Sequence, residues 1–88
     1  MATPDMKTVF EQAVEDSKGL SNRPSNDSLL HLYSLYKQAT EGDASADAPA
    51  NPFDFVAKAK YESWLALKGK SKEAAMQEYV GLIAKLKQ

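Results

Sequence analysis

Few side chains in this sequence are equipped for chemistry, and most of those sit close together. Tyr33-Ser34-Leu35-Tyr36-Lys37 places two aromatic rings and an ammonium within five residues. On a helix, Tyr33 and Lys37 are one turn apart and share a face, with Tyr36 as their neighbour. Such a patch can stack a planar base and hold a phosphate. The same spacing also suits two tyrosines packed between helices, and spacing alone leaves both readings open. His31 is the only histidine and lies between Leu30 and Leu32. A catalytic histidine needs an orienting carboxylate and a nucleophile within reach, and no spacing here supplies them. Thiol chemistry is excluded because there is no cysteine. One histidine among scattered carboxylates makes no recognisable metal site. Gly19, Gly42, Gly69 and Gly81 are isolated, so there is no glycine-rich phosphate loop.

Charge is uneven along the chain. Glu41, Asp43, Asp47 and Asp54 occupy 41–54 without a cation, whereas Lys58, Lys60, Lys68, Lys70 and Lys72 in 58–72 face Glu62 alone. One end of the molecule is therefore locally basic, although the formal net charge is -1. Lys58 and Lys60, two apart, point in different directions on a helix, so only one belongs naturally to a given site. The overall balance of 11 Lys+Arg against 12 Asp+Glu argues against a nucleic-acid-coating protein.

Four amphipathic segments must position these groups. Met6, Val9, Phe10, Ala13, Val14 and Ser17 draw a helical stripe. Thr3-Pro4 is expected to start this helix, with Lys18-Gly19 ending it on a glycine at positive φ, giving a span of about 4–18. A second helix is expected over about 26–41, capped from Ser25-Asn26-Asp27, with Leu29, Leu32, Tyr33, Tyr36, Ala39 and Thr40 as its stripe and Gly42 as its end. Residues 42–53, rich in small residues and containing two prolines, form a long loop. A third helix follows from Asp54 to about Lys68, stopped by Gly69, with Ala57, Tyr61, Trp64 and Leu65 facing inward. Ser71 caps the fourth, whose stripe is Met76, Tyr79, Val80, Ile83 and Leu86. Neither a β alternation nor an internal repeat appears, and 88 residues suffice for one core. The expected fold is a single all-α four-helix domain over 1–88, stabilised by packing alone because no disulfide is available. No apolar run approaches the ~20 residues that span a bilayer. Met1-Ala2-Thr3-Pro4-Asp5 lacks the pattern of a signal peptide, which points to the cytoplasm.

Three stretches together resemble the acyl-CoA-binding protein family in its small, single-domain form. They are Tyr33-Ser34-Leu35-Tyr36-Lys37-Gln38-Ala39-Thr40-Glu41-Gly42-Asp43, Lys58-Ala59-Lys60-Tyr61-Glu62-Ser63-Trp64, and Leu67-Lys68-Gly69-Lys70-Ser71-Lys72-Glu73-Ala74-Ala75-Met76 with Tyr79. Order, spacing and length match over almost the whole chain. The resemblance implies a four-helix bundle that binds one medium- to long-chain acyl-CoA without catalysis, as a monomeric carrier serving acyl-CoA-producing and -consuming enzymes. It implies no cofactor and no metal, no nucleic-acid partner and no stable membrane insertion. Position by position, Tyr33 matches the tyrosine that stacks on adenine, while Tyr36 and Lys37 match residues engaging the nucleotide and its 3′-phosphate. Lys60 matches a phosphate-contacting lysine, Tyr79 a tyrosine bordering the ligand, and Lys18 a lysine near the mouth, with Val14 alongside. Ser34 and Leu35, inside the first stretch, are carried over as further contacts. Val56 stands where many members have a lysine, Tyr61 where a tryptophan is frequent, and the 42–53 loop is about one residue longer than usual. The rival readings are a helical protein-interaction module without a small ligand, a DNA-binding helical domain, and a thioesterase for which no nucleophile–base pair is evident.

Overall fold

Every helix starts where a short polar side chain accepts a hydrogen bond from the backbone N–H three residues on. In this computed structural model, which describes residues 5–45, 51 and 53–87, Asp5 accepts from Thr8 N at 2.7 Å and Ser25 from Ser28 N at 3.1 Å. Asp54 accepts from Ala57 N at 3.0 Å and Ser71 from Ala74 N at 3.1 Å. These caps open α1 (Met6–Ser17), α2 (Asn26–Glu41), α3 (Phe55–Leu65) and α4 (Lys72–Leu86). No strand occurs among the described residues.

Three boundaries differ from the sequence reading. The cap of α1 is Asp5, whose carboxylate gives the orphan N–H groups a charged acceptor; Thr3 and Pro4 lie outside the described residues. Gly19 does not take up positive φ: α1 closes through Lys18 in the αR region, with Lys18 N bonded to Glu15 O at 3.1 Å. The left-handed glycines are Gly42 (φ 85°), which ends α2 as expected, and Gly69 (φ 91°). Gly69 lies beyond the end of α3, because Leu67 N to Trp64 O (2.9 Å) and Lys68 N to Leu65 O (3.0 Å) first tighten the chain into a turn. Residues 46–50 and 52 of the connection between α2 and α3 lie outside the described residues.

Helix α2 is central: it packs against α4 and against α3, and α1 packs on α4. The core gathers Phe10 and Ala13 from α1, Leu32, Leu35 and Ala39 from α2, and Ala75, Tyr79 and Ile83 from α4. The expected inner stripe of α3 is corrected, because that helix buries no residue fully and Leu65 is exposed. Its neighbour among the helices is α2 alone, so one half-covered face suffices. Its aromatics instead use their polar ends as props. Tyr61 OH donates to Ser45 O at 2.7 Å, and Trp64 Nε1 donates to Gly42 O at 2.8 Å. Both hold the chain where it leaves α2. Trp64 is thus half-buried and bonded to the backbone rather than a core residue.

A second lock lies beside the first. The fully buried Gln38 donates through Nε2 to Asp43 Oδ1 (2.8 Å) and to Lys70 O (2.7 Å). Gly69 N also donates to Asp43 Oδ1, at 2.9 Å. The Gly69 N–H and then the Gln38 amide hold the Asp43 carboxyl below the ordinary carboxylate range. One acidic side chain thereby ties the end of α2 to the turn between α3 and α4.

Candidate functional site

The aromatic–lysine run on α2 divides over two faces. Tyr33, half-buried, looks toward α3, where the Lys60 ammonium stands 5.3 Å from its ring centroid. Lys37, one turn on, lies 5.0 Å from the Trp64 ring centroid and is paired with Glu41. The hydrogen bond to Glu41 raises the Lys37 pKa above the usual lysine value, with partial burial opposing it and the Glu41 charge assisting. Tyr36 turns the other way, toward α1 and α4. It stacks on Phe10 with centroids 5.9 Å apart and lies 6.5 Å from Tyr79. Phe10 and Tyr79 meet edge to face at 5.1 Å. Aromatic clusters of this kind add order to a groove wall beyond the area they cover.

A cavity of about 320 Å³ reunites the two faces. Val14, Ser17 and Leu20 line it from α1 and the following turn, Leu29, Leu32, Tyr33 and Tyr36 from α2, and Tyr79 from α4. A larger groove of about 770 Å³ is lined by Phe10, Val14, Tyr36, Ala39 and Met76, with Lys7, Lys72, Glu11 and Glu15 as its charged members. Val14 and Tyr36 border both. The walls are mainly apolar, with aromatic faces; charged side chains of both signs border the larger groove, and none lines the smaller cavity. The Ser17 hydroxyl donates to Val14 O at 2.6 Å, so it is engaged with the backbone.

The structure brings Val14, Tyr33, Tyr36 and Tyr79 together and sets Lys60 and Lys37 beside Tyr33. Three of the expected contacts line neither cavity in the ligand-free chain. Leu35 is 0% exposed and belongs to the core under α2. Ser34 is likewise buried and donates through Oγ to His31 O at 2.9 Å. Neither side chain reaches a cavity, because α2 is flanked by two helices and its covered arc is wide. Lys18 is solvent-facing, lies 3.4 Å from Glu15 Oε1, and lines neither cavity. Val56 is 65% exposed and also lines neither. His31, the only histidine, is exposed. Phe10, which the sequence marked only as part of the α1 stripe, lines the larger groove; its spacing of four from Val14 was the available signal. Leu29, already in the α2 stripe, and Leu20, from the turn after α1 where no stripe exists, complete the wall.

Residues 7–83 match the family model described as acyl CoA binding protein. The chain is 49% identical over 79 residues to an acyl-CoA-binding protein of Dictyostelium discoideum, covering 90% of this chain and 93% of that one. It is 49% identical over 80 residues to the acyl-CoA-binding protein homolog of Drosophila melanogaster, covering 86% and 92%. The crystal structure of Oryza sativa acyl-CoA-binding protein 2 superposes with a TM-score of 0.87 at 38% identity, covering 93% of this chain and 90% of that one. With its four helices in this arrangement and a family match over most of its length, the chain belongs to the acyl-CoA-binding protein family.

Proposed function

We propose that this protein binds one medium- to long-chain acyl-CoA thioester without transforming it and carries it between the enzymes that make and use it. The observation behind this reading is the join between two unlike surfaces. An apolar, aromatic-walled cavity opens beside a tyrosine ring faced by a lysine. An amphiphile with a greasy tail and an anionic nucleotide head needs that combination. Tyr33 offers the stacking face for adenine, with Lys60 and Lys37 for the phosphates. Tyr36, Tyr79 and Val14 border the more apolar part.

Tail and head contribute differently. Each sheltered methylene is worth ~0.8 kcal/mol, so about fifteen give an upper bound of roughly 12 kcal/mol. Association and ordering oppose this by roughly 4–15 kcal/mol. The head must therefore add net affinity, through charge-assisted contacts of roughly 1.5–3 kcal/mol each, and it distinguishes acyl-CoA from a free fatty acid. Binding without catalysis fits this site: the serine lining the smaller cavity is bonded to the backbone, and neither lining includes a histidine. No helix among the described residues is long and apolar enough to cross a membrane. We take the carrier to act in the cytoplasm as a monomer.

Calorimetry with palmitoyl-CoA, and with palmitate and CoA separately, tests the proposal. Tight 1:1 binding of the thioester, with far weaker binding of either half, is expected. Affinity should rise with acyl length and level off where the groove ends; a flat series would place the tail in water. Mass spectrometry of the recovered ligand should return the intact thioester. Absence of saturable binding would favour a protein-interaction module.

A further inference from the structure

Helix α3 carries a site cation on a weakly covered scaffold. It buries no side chain fully, and among the helices it packs on α2 alone. Lys60 projects from it, with its ammonium 5.3 Å from the Tyr33 ring centroid. Lys60 is exposed and forms no ion pair among the described residues. A lysine on its flexible stem, with no partner charge to fix it, goes where its backbone directs it. Each residue of a helix turns that direction by about 100°. The rotation of α3 about its own axis therefore decides whether the ammonium reaches Tyr33.

Two hydrogen bonds fix that rotation. Tyr61 Oη donates to Ser45 O at 2.7 Å, and Trp64 Nε1 donates to Gly42 O at 2.8 Å. Tyr61 and Trp64, three apart, share a face of α3. The earlier ring holds the later acceptor, so 42–45 runs back along α3 and is gripped at two points. A single point would leave α3 free to pivot about it. The gripped segment is itself tied down. Gly42 N donates to Gln38 O at 3.1 Å, and Asp43 Oδ1 accepts from Gln38 Nε2 and Gly69 N. Across the α2–α3 interface, Lys60 meets Tyr33 and Lys37 meets Trp64, one turn apart on each helix. The Trp64 point lies at the Lys37 contact, and the Tyr61 point lies one residue from Lys60.

We infer that Tyr61 is a positioning residue for the nucleotide head of the ligand. By holding Ser45 O, its hydroxyl sets the Lys60 ammonium beside Tyr33, where a base and its phosphates are taken up. The effect is indirect, since Tyr61 lines neither cavity. This role rests on the acyl-CoA reading and adds to it a residue outside the groove.

Tyr61→Phe removes the hydroxyl and keeps the ring. Calorimetry of the full chain with palmitoyl-CoA should show Kd raised roughly two- to tenfold. Lys60→Met keeps an unbranched stem and removes the charge. In that background Tyr61→Phe should raise Kd no further, because both changes act on one contact. Trp64 is the only tryptophan, and its emission in the ligand-free Tyr61→Phe chain should match the wild type, since its own bond to Gly42 remains. A lower Tm with unchanged Kd would make the hydroxyl a structural prop and overturn the inference, as would a variant that no longer folds. Equal losses in the two backgrounds would show that Tyr61 acts on something other than Lys60 and overturn it too. A shifted Trp64 emission would mean that the whole of α3 has moved, against a role confined to Lys60. A wild type that binds palmitoyl-CoA while Tyr61→Phe binds it equally overturns this role alone. A wild type without saturable palmitoyl-CoA binding overturns the acyl-CoA reading and this role with it.

Discussion

Replacing Lys37 with alanine separates the structural from the ligand-binding use of one ammonium. In the free protein that ammonium lies 5.0 Å from the Trp64 ring centroid and pairs with Glu41. The pair is partly exposed, so it is worth roughly 0.3–0.5 kcal/mol, and the cation–π contact roughly 0.5–1 kcal/mol. Lys37→Ala should therefore cost about 1 kcal/mol of stability, which lowers Tm by about 4–8 °C in a domain of this size. The raised Lys37 pKa places this contribution at full strength below the unfolded lysine value near 10.4 and removes it only as pH rises through the higher folded value. At neutral pH it is complete. A ligand phosphate gains roughly 1.5–3 kcal/mol from the ammonium but must first draw it from Glu41. The net loss on mutation is then about 1–2.5 kcal/mol, or roughly 5- to 70-fold in Kd. Glu41→Gln should act in the opposite sense, tightening binding about twofold. Calorimetry of wild type and Lys37→Ala with acyl-CoA and 3′-dephospho-acyl-CoA closes the cycle. If Lys37 meets the 3′-phosphate, the two losses overlap and do not add. Fully additive losses, or an unchanged Tm, would refute the reasoning.

Three further outcomes follow from the packing. Leu35→Ala should destabilise by roughly 2–5 kcal/mol while the folded fraction keeps its acyl-CoA affinity within about twofold; intact stability with lost binding would return Leu35 to the site. Trp64→Phe keeps an aromatic ring but removes the N–H that Gly42 O accepts and part of the indole's packing, and should cost at least roughly 0.5–1.5 kcal/mol in denaturant unfolding. An unchanged midpoint would mean the indole bond adds nothing. Because the Gly69 N–H and Gln38 amide depress the Asp43 pKa, its contribution is present above the unfolded value near 4 and is lost as pH falls through the lower folded value. Denaturant midpoints across acid pH should therefore decline less steeply in Asp43→Asn than in wild type, and parallel declines would show that Asp43 is not among the groups responsible.

Local chemistry made much of this molecule legible in its sequence. Ser25, Asp54 and Ser71 can cap a helix through their own side chains, and Gly42 accepts positive φ without a Cβ, so these boundaries need no knowledge of the neighbours. Three-and-four spacing likewise marked Phe10, Ala13, Leu32, Ala39, Tyr79 and Ile83, all of which are buried. The pairing of Tyr33 with Lys37 was visible for the same reason, as a consequence of helical pitch.

Which way each arc faces was decided only in three dimensions. Periodicity defines a stripe but not how many helices will cover it. Helix α2 is covered from two sides, so Ser34, Leu35 and Gln38 are buried although they flank the expected stripe, while Tyr36 stays 41% exposed on the groove. Helix α3 is covered from one side, so Trp64 and Tyr61 spend their polar ends on Gly42 and Ser45 instead of entering the core. The division of Tyr33 toward Lys60 and Tyr36 toward Phe10 has the same origin. These partners are distant in sequence, and only the packing of one helix on another, driven by apolar surface leaving water, brings them within reach.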